Sequence, residues 1–165
     1  MSVIFDYDEI LAEEREMLSK RHSLAQTNLT VLLGNDERFS TFVELSQFGL
    51  KNQDEIVPDI NVYLESLPMV DDPGEDEVRV AKMPDLVIEV LSPTQSLNEL
   101  LKKIKAYFAL GVKSCWLVMP ALEAIRVCSH QLQHYKNFDM NQVGTVDDEV
   151  MDIHLPIQKV FRRRN

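Results

Sequence analysis

An α/β fold is predicted by three features of the sequence: helical periodicity over residues 8–33, two β-rich runs at residues 41–48 and 55–64, and a strand, helix, strand succession over residues 85–119. At 165 residues the chain fits one domain, residues 1–165, with a helical N-terminal segment at about 8–33. A domain of that size buries most of the apolar surface of its unfolded chain.

The first helical segment rests on Ile10, Leu11, Met17, Leu18, Leu24, Leu29, Leu32 and Leu33, which recur at three- and four-residue spacings before Gly34 offers a stop. TFVELSQF and EIVPDINVYL are short and rich in β-branched and aromatic residues, hence strands. Pro58 cannot donate to a ladder, so it marks a strand edge or a bulge. SLPMVDDPGED, residues 66–76, combines two prolines and a glycine with acidic residues and reads as an exposed, mobile loop.

DLVIEVL, bounded by Pro84 and by Ser92-Pro93, is nearly continuously apolar, the pattern of a strand covered on both faces. A helix follows, with Thr94 or Ser96 as N-cap and Gly111 as its end. Its apolar face is Leu97, Leu100, Leu101, Ile104, Tyr107 and Phe108. SCWLVM, residues 114–119, is a second buried strand, and such a crossover makes the two strands a parallel, right-handed pair. EAIRVCSH and LQHY extend the sheet as a hairpin, and PIQKVF forms a short closing helix.

Composition narrows the function classes. No apolar run is long enough to span a membrane, and MSVIFDYDEILAEERE lacks the basic, apolar and small-residue parts of a secretory signal, so a cytoplasmic protein is expected. Cys115 and Cys128 lie in apolar runs and are expected to be buried thiols; two cysteines without neighbouring histidines do not make a structural zinc site. The net charge of −10, from 27 acidic and 17 basic residues, repels phosphate backbones unless basic groups are concentrated locally. The densest basic cluster, Arg162, Arg163 and Arg164, reads as a frayed tail.

One constellation carries chemistry. Glu89 stands in an otherwise apolar strand, where an ionised carboxylate costs several kcal/mol unless a cation or hydrogen-bond donors compensate it. A lysine or arginine paired with it purely for structure explains it as readily as catalysis does. Asp59, after Pro58 in the preceding strand, is placed to reach the same point. Two carboxylates on adjacent strands supply the hard oxygen ligands that magnesium prefers and leave positions for water and a phosphate oxygen. Leu100, Lys103 and Tyr107 share one helix face, so Lys103 is expected to be partly desolvated beside the two carboxylates and to lower their pKa values.

The run PDLVIEVLSPTQSLNELLKKIKAYFALGVKSCWLV resembles the signature of the Uma-two family of restriction-endonuclease-like proteins. In that signature a strand ending Glu-Val-Leu-Ser-Pro precedes a helix with Lys-x-x-x-Tyr-x-x-x-Gly-Val and a tryptophan-containing strand. The matching positions here are Glu89 to Pro93, Lys103, Tyr107, Gly111, Val112 and Trp116, with VPDINV upstream and HLPIQKVF downstream. The resemblance implies the restriction-endonuclease-like fold of the PD-(D/E)xK superfamily, a mixed central sheet flanked by helices. It further implies Asp59 and Glu89 as ligands of Mg2+ (or Mn2+) and Lys103 as the catalytic lysine, moved from the glutamate's strand onto the helix; the strand position two after Glu89 is Leu91. Lys102 and Lys105 fall off the four-residue spacing to Tyr107. His22 occupies the place of a helical histidine beside the site, and a solvated helix histidine is the alternative. His22, Asp85 and Tyr107 are the expected supporting residues, with Asp85 four residues from Glu89 and so too distant to share an ion easily.

The N-terminus departs from the family pattern: DYDEILAEEREMLSK stands where a tyrosine-glutamate strand and a hairpin are usual, leaving Asp8, Glu9 and Glu14 as candidates for a further acid. Two functions follow. One is a magnesium-dependent endonuclease acting on nucleic acid, with DNA the expected substrate and a homodimer the expected assembly. The other is a non-catalytic interaction module on a retained nuclease fold.

Overall fold

The computed structural model describes residues 19–48, 55–69, 71–142 and 144–162. Helix α1 (Lys20–Gly34) begins where Ser19 takes extended backbone and its hydroxyl accepts the His22 N–H at 3.1 Å. The part of the helical expectation before Ser19 lies outside the described residues. The strands follow as β1 (Ser40–Val43), β2 (Ser46–Phe48), β3 (Glu55–Ile56), β4 (Ile60–Tyr63), β5 (Arg79–Val80) and β6 (Leu86–Val90). Helix α2 (Leu97–Ala109), capped by Ser96, leads to β7 (Ser114–Met119) and β8 (Ala124–Ser129). The chain continues through β9 (Tyr135–Asp139), β10 (Thr145–Asp148) and β11 (Ile153–Pro156) to α3 (Gln158–Phe161).

The central sheet is mixed, with the order β1-β4-β6-β7-β8-β9. Only β6 and β7 run parallel, joined by α2; every other neighbouring pair is antiparallel. A small sheet, β3-β2-β5, and the hairpin β10-β11 accompany it. Gly111, at φ +97°, turns the chain out of α2 in a conformation that L side chains rarely adopt.

Both β-rich runs expected as single strands are in fact broken, each at its middle. Residues 41–48 split at Glu44, which adopts φ +53°, into β1 of the large sheet and β2 of the small one. Residues 55–64 split at Pro58 into β3 of the small sheet and β4 of the large one. The breaks face each other: the Glu44 N–H bonds the Asp59 carbonyl at 3.1 Å, and the Asn61 side chain takes the place of a ladder partner for both the N–H and the carbonyl of Leu45. Asp59 therefore sits where the chain crosses from one sheet to the other. Buried Gln47 ties the sheets together: in the amide orientation that satisfies its neighbours, its oxygen accepts from Tyr63 Oη and Asn61 Nδ2 and its nitrogen donates to the Val80 and Lys82 carbonyls.

Alternation along β6 separates two cores. Leu86, Ile88 and Val90 face a core shared with Ala25, Leu29 and Leu33 of α1, Trp116, and residues of the β10-β11 hairpin and α3. Val87 faces a second core with Leu100, Ile104 and Tyr107 of α2 and both cysteines, which are buried and stand opposite each other across β7 and β8. Leu97, expected on the apolar face of α2, is exposed, because the helix begins beyond the edge of that core.

The hairpin β10-β11, which the sequence reading passed over, is fastened by Asp148. Its fully buried carboxylate accepts from Ser114 Oγ (2.5 Å) and Trp116 Nε1 (2.8 Å) through one oxygen and from the N–H groups of Val150 and Met151 through the other. Truncation would strand two buried side-chain donors. Asp148→Ala is expected to lower unfolding free energy by about 3 kcal/mol or more, read by urea denaturation followed by Trp116 fluorescence. A loss below about half a kcal/mol would show that the network does not anchor the hairpin.

Candidate active site

Pairing of β4 with β6 sets Ile60 opposite Ile88 and Asn61 opposite Val87. Asp59 directly precedes β4 and reaches across to β6: its carboxylate accepts the N–H of Val90, the residue after Glu89, and its charge acts on the Glu89 carboxylate. The two carboxylates thus come from adjoining segments, Asp59 from the crossover between the sheets and Glu89 from β6.

Glu89 is 1% exposed. Its Oε1 accepts the Tyr107 hydroxyl at 2.5 Å and lies 3.1 Å from Lys103 Nζ. Lys103 and Tyr107 reach the same oxygen because four residues on a helix place side chains one above the other. The Lys103 side chain is one-third exposed (34%), so its ammonium stands between the buried carboxylate and solvent. Asp59 is held differently: its Oδ2 accepts the Val90 N–H at 2.7 Å and lies 3.4 Å from Nε2 of buried His22, while Gln26 Nε2 grips its carbonyl at 3.1 Å. His22 is therefore not a solvated helix histidine. Among the described residues, these contacts fall on one oxygen of each carboxylate.

The electrostatics correct one expectation. Burial, followed by the charge of Asp59, pushes the Glu89 pKa up to about 7, against the opposing pull of Lys103 and Tyr107. Lys103 was expected to depress it, but one ammonium with a face to solvent does not offset full desolvation plus a neighbouring carboxylate. Burial and Glu89 also push the Tyr107 phenol well up, so that it remains the donor in their hydrogen bond.

Asp85, expected as a supporting residue, is not brought to the site. It precedes β6 while Glu89 lies near its other end, about 13 Å along the strand. Its carboxylate accepts the Leu64 N–H at 2.8 Å and pairs with Lys113 at 3.3 Å, fastening the far end of the sheet. Asp8, Glu9 and Glu14 lie outside the described residues, as do Arg163 and Arg164. The sequence reading also missed the Val90 N–H and Gln26 as the groups that orient Asp59; a backbone donor leaves no trace in residue type.

The donor set suits a hard divalent cation. Among the described residues no group of three or more His, Cys, Asp or Glu side chains converges as a metal cage, and two carboxylates are the kind of protein share that magnesium takes while keeping several waters.

A folded pKa above the unfolded value means that the native state binds the Glu89 proton more tightly. The contribution to stability is complete below pH 4.5 and is lost as pH rises through about 7. Between pH 4.5 and pH 8 the wild type should therefore lose roughly 3 kcal/mol relative to Glu89→Gln, whose amide does not titrate. Denaturant titrations of both proteins across that range measure the difference, and a constant difference would contradict the buried, desolvated carboxylate.

The sequence profile of a family described as "Putative restriction endonuclease", Uma2, matches residues 8–158. No curated protein matches the chain. Among solved structures, the chain is similar to one described as a "putative nuclease belonging to DUF820" from Anabaena variabilis ATCC 29413. The identity is 26% and the TM-score 0.72, over 88% of this chain and 82% of that one. With the mixed sheet flanked by helices already seen, these findings give the fold as restriction-endonuclease-like, and the chain belongs to the Uma2 family.

Proposed function

We propose that the protein is a divalent-metal-dependent endonuclease that hydrolyses phosphodiester bonds of nucleic acid, with DNA as the substrate. The observation that supports this reading is the convergence of Asp59, bonded to the Val90 N–H beside Glu89, and of Lys103, whose Nζ lies 3.1 Å from Glu89 Oε1. The family and the solved neighbour support it. Asp59 and Glu89 would hold Mg2+ (or Mn2+), which when bound polarises a phosphoryl oxygen and makes a coordinated water more acidic.

The chain's own residues do the rest. Tyr107 and the Val90 N–H fix the two carboxylates, so that little reorganisation is needed when substrate arrives. Lys103, at the boundary between carboxylate and solvent, places positive charge where the phosphate enters and stabilises the charge that builds there. His22 backs the Asp59 carboxylate from α1. Two-fold self-association belongs to this reading because a duplex requires two cuts, and closed two-fold pairs are the commonest oligomers.

The alternative, a non-catalytic module on this fold, is favoured by the lack of a third metal donor among the described residues. Calorimetry separates the two: heat on adding magnesium, with or without DNA, is expected for the enzyme, and its absence in both cases sinks that reading. Light scattering at high concentration should give twice the 19.0 kDa chain mass, and a particle of one chain would remove the dimer.

Lys103→Met keeps the apolar stem and removes the charge. We expect a folded protein with divalent-ion binding largely retained and cleavage reduced by about a hundredfold or more. A purely structural lysine at this degree of exposure would change stability by under about half a kcal/mol and leave the rate intact. Thermal midpoint and nuclease rate measured on one sample decide between them, with Glu89→Ala as the inactive control.

A further inference from the structure

Charge on this chain is unevenly placed. Residues 20–35, which are α1 and its C-cap, contain no aspartate or glutamate, and neither do residues 157–165, although the chain holds 27 acids. The two segments are packed together: Asn28 Nδ2 donates to the Val160 carbonyl at 2.9 Å and to the Arg162 carbonyl at 3.2 Å, fixing α3 against the flank of α1. Between them lies a cleft of about 530 Å³ lined by Asn28, Asn35, Gln158, Lys159 and Arg162 together with Val31 and Leu32.

Arg21, Asn28 and Asn35 are seven residues apart, so they fall on one side of α1, with Arg21 and Asn35 exposed and Asn28 buried between them against α3. The line they mark starts beside His22, whose ring is 3.4 Å from Asp59, and ends in the cleft. It runs about 21 Å, the axial length of about six nucleotides of one duplex strand. Arg21, Lys159 and Arg162 are exposed, and among the described residues none of them is in an ion pair, as is also true of Lys20, Lys102, Lys105 and Arg126. Exposed cations interleaved with amide side chains, with no carboxylate on either supporting segment, are the chemistry that binds successive phosphates without reading bases.

We propose that this flank of α1 and α3 is a backbone-binding track, on which Arg21, Asn35, Gln158, Lys159 and Arg162 hold the phosphates of the nucleic-acid strand leading away from the carboxylate pair. The proposal rests on the nuclease reading for its substrate and adds to it the direction in which the substrate lies. It also reconciles nucleic-acid binding with a net charge of −10, because the track is assembled locally from the acid-free parts of the chain.

The test is fluorescence anisotropy of a labelled duplex DNA titrated with the full chain in EDTA at a series of potassium chloride concentrations. The wild type is compared with Lys159→Gln/Arg162→Gln, whose exposed side chains leave the fold intact. Each lost phosphate contact removes about 0.9 from the slope of log K against log salt, so the double variant should be shallower by about 2. Its low-salt affinity should fall about tenfold or more, with thermal midpoint unchanged, and Arg21→Gln alone should remove about 1 from the slope. A double variant with the wild-type slope, or a wild type that does not bind the duplex, overturns the track. Failure of the catalytic reading shows separately, as a Glu89→Ala protein that still cuts; the salt slope does not depend on it.

Discussion

Removing a carboxylate from water in the middle of a sheet sets the terms for everything around Glu89. A charge there is tolerated only with cationic and hydrogen-bonding company, and Glu89 has one ammonium and one phenol, both on the same oxygen. α2 has to present Lys103 and Tyr107 to that oxygen at once, which fixes its rotation on the sheet and the inward face of Leu100 and Ile104. The parallel β6-β7 pair follows from the same helix, since α2 is the crossover that joins them. The residual deficit is visible as the raised Glu89 pKa: the protein leaves this carboxylate under-compensated at neutral pH. A cation supplied from solution would complete it.

Asp148 shows what a carboxylate buried purely for structure looks like in the same molecule. It is equally inaccessible and among the described residues has no cation beside it, yet both of its oxygens are engaged by neutral donors: a hydroxyl, an indole N–H and two backbone N–H groups. No carboxylate opposes it across a strand, and the carboxylate clasps the turn that follows β10. Glu89 differs on each count: among the described residues one oxygen is engaged, its cation is one-third exposed, and the Asp59 charge acts on it. Burial alone does not separate a structural acid from a reactive one. The separation comes from whether the acid's hydrogen-bonding capacity is filled from within.

Local signals made part of this legible in sequence. Glu89 stands out because every neighbour in β6 is apolar, and Lys103 and Tyr107 because helical spacing is regular. The breaks in residues 41–48 and 55–64 were not legible in full. Pro58 marked the second, but the first depends on Glu44 taking a positive φ, and what holds it there is Asp59 and Asn61, from a strand more than ten residues away in sequence. Asp148 sits in the polar run TVDDEV, where one aspartate looks like the next, and only the fold brings Trp116 and Ser114 to it. The resemblance to a family supplied the role proposed for Lys103; geometry supplied the reason that it is held beside Glu89.

Net charge is the clearest case of a correct number that does not decide the question asked of it. Fixed charges act on a polyanion within roughly a Debye length, about 8 Å at physiological salt, so what matters is the charge beside the path of the phosphates. Many acids lie in the run from Asp71 to Glu77 that rims an apolar groove with Phe42 and Leu45, and in the β10-β11 turn around Glu149 and Asp152, while Asp36 and Glu37 follow α1 directly and Asp36 is paired with Arg38. Helix α1 has no acid, buries polar His22, Gln26 and Asn28 where a helix of a simple core would bury apolar residues, and spends those side chains on Asp59 and on the α3 backbone. One helix thereby orients a carboxylate at its N-terminal end and holds the basic C-terminal segment along its flank. Such a coupling gives a physical reason for a helix that buries polar side chains: it links the geometry of the site to the surface along which a polyanion would lie.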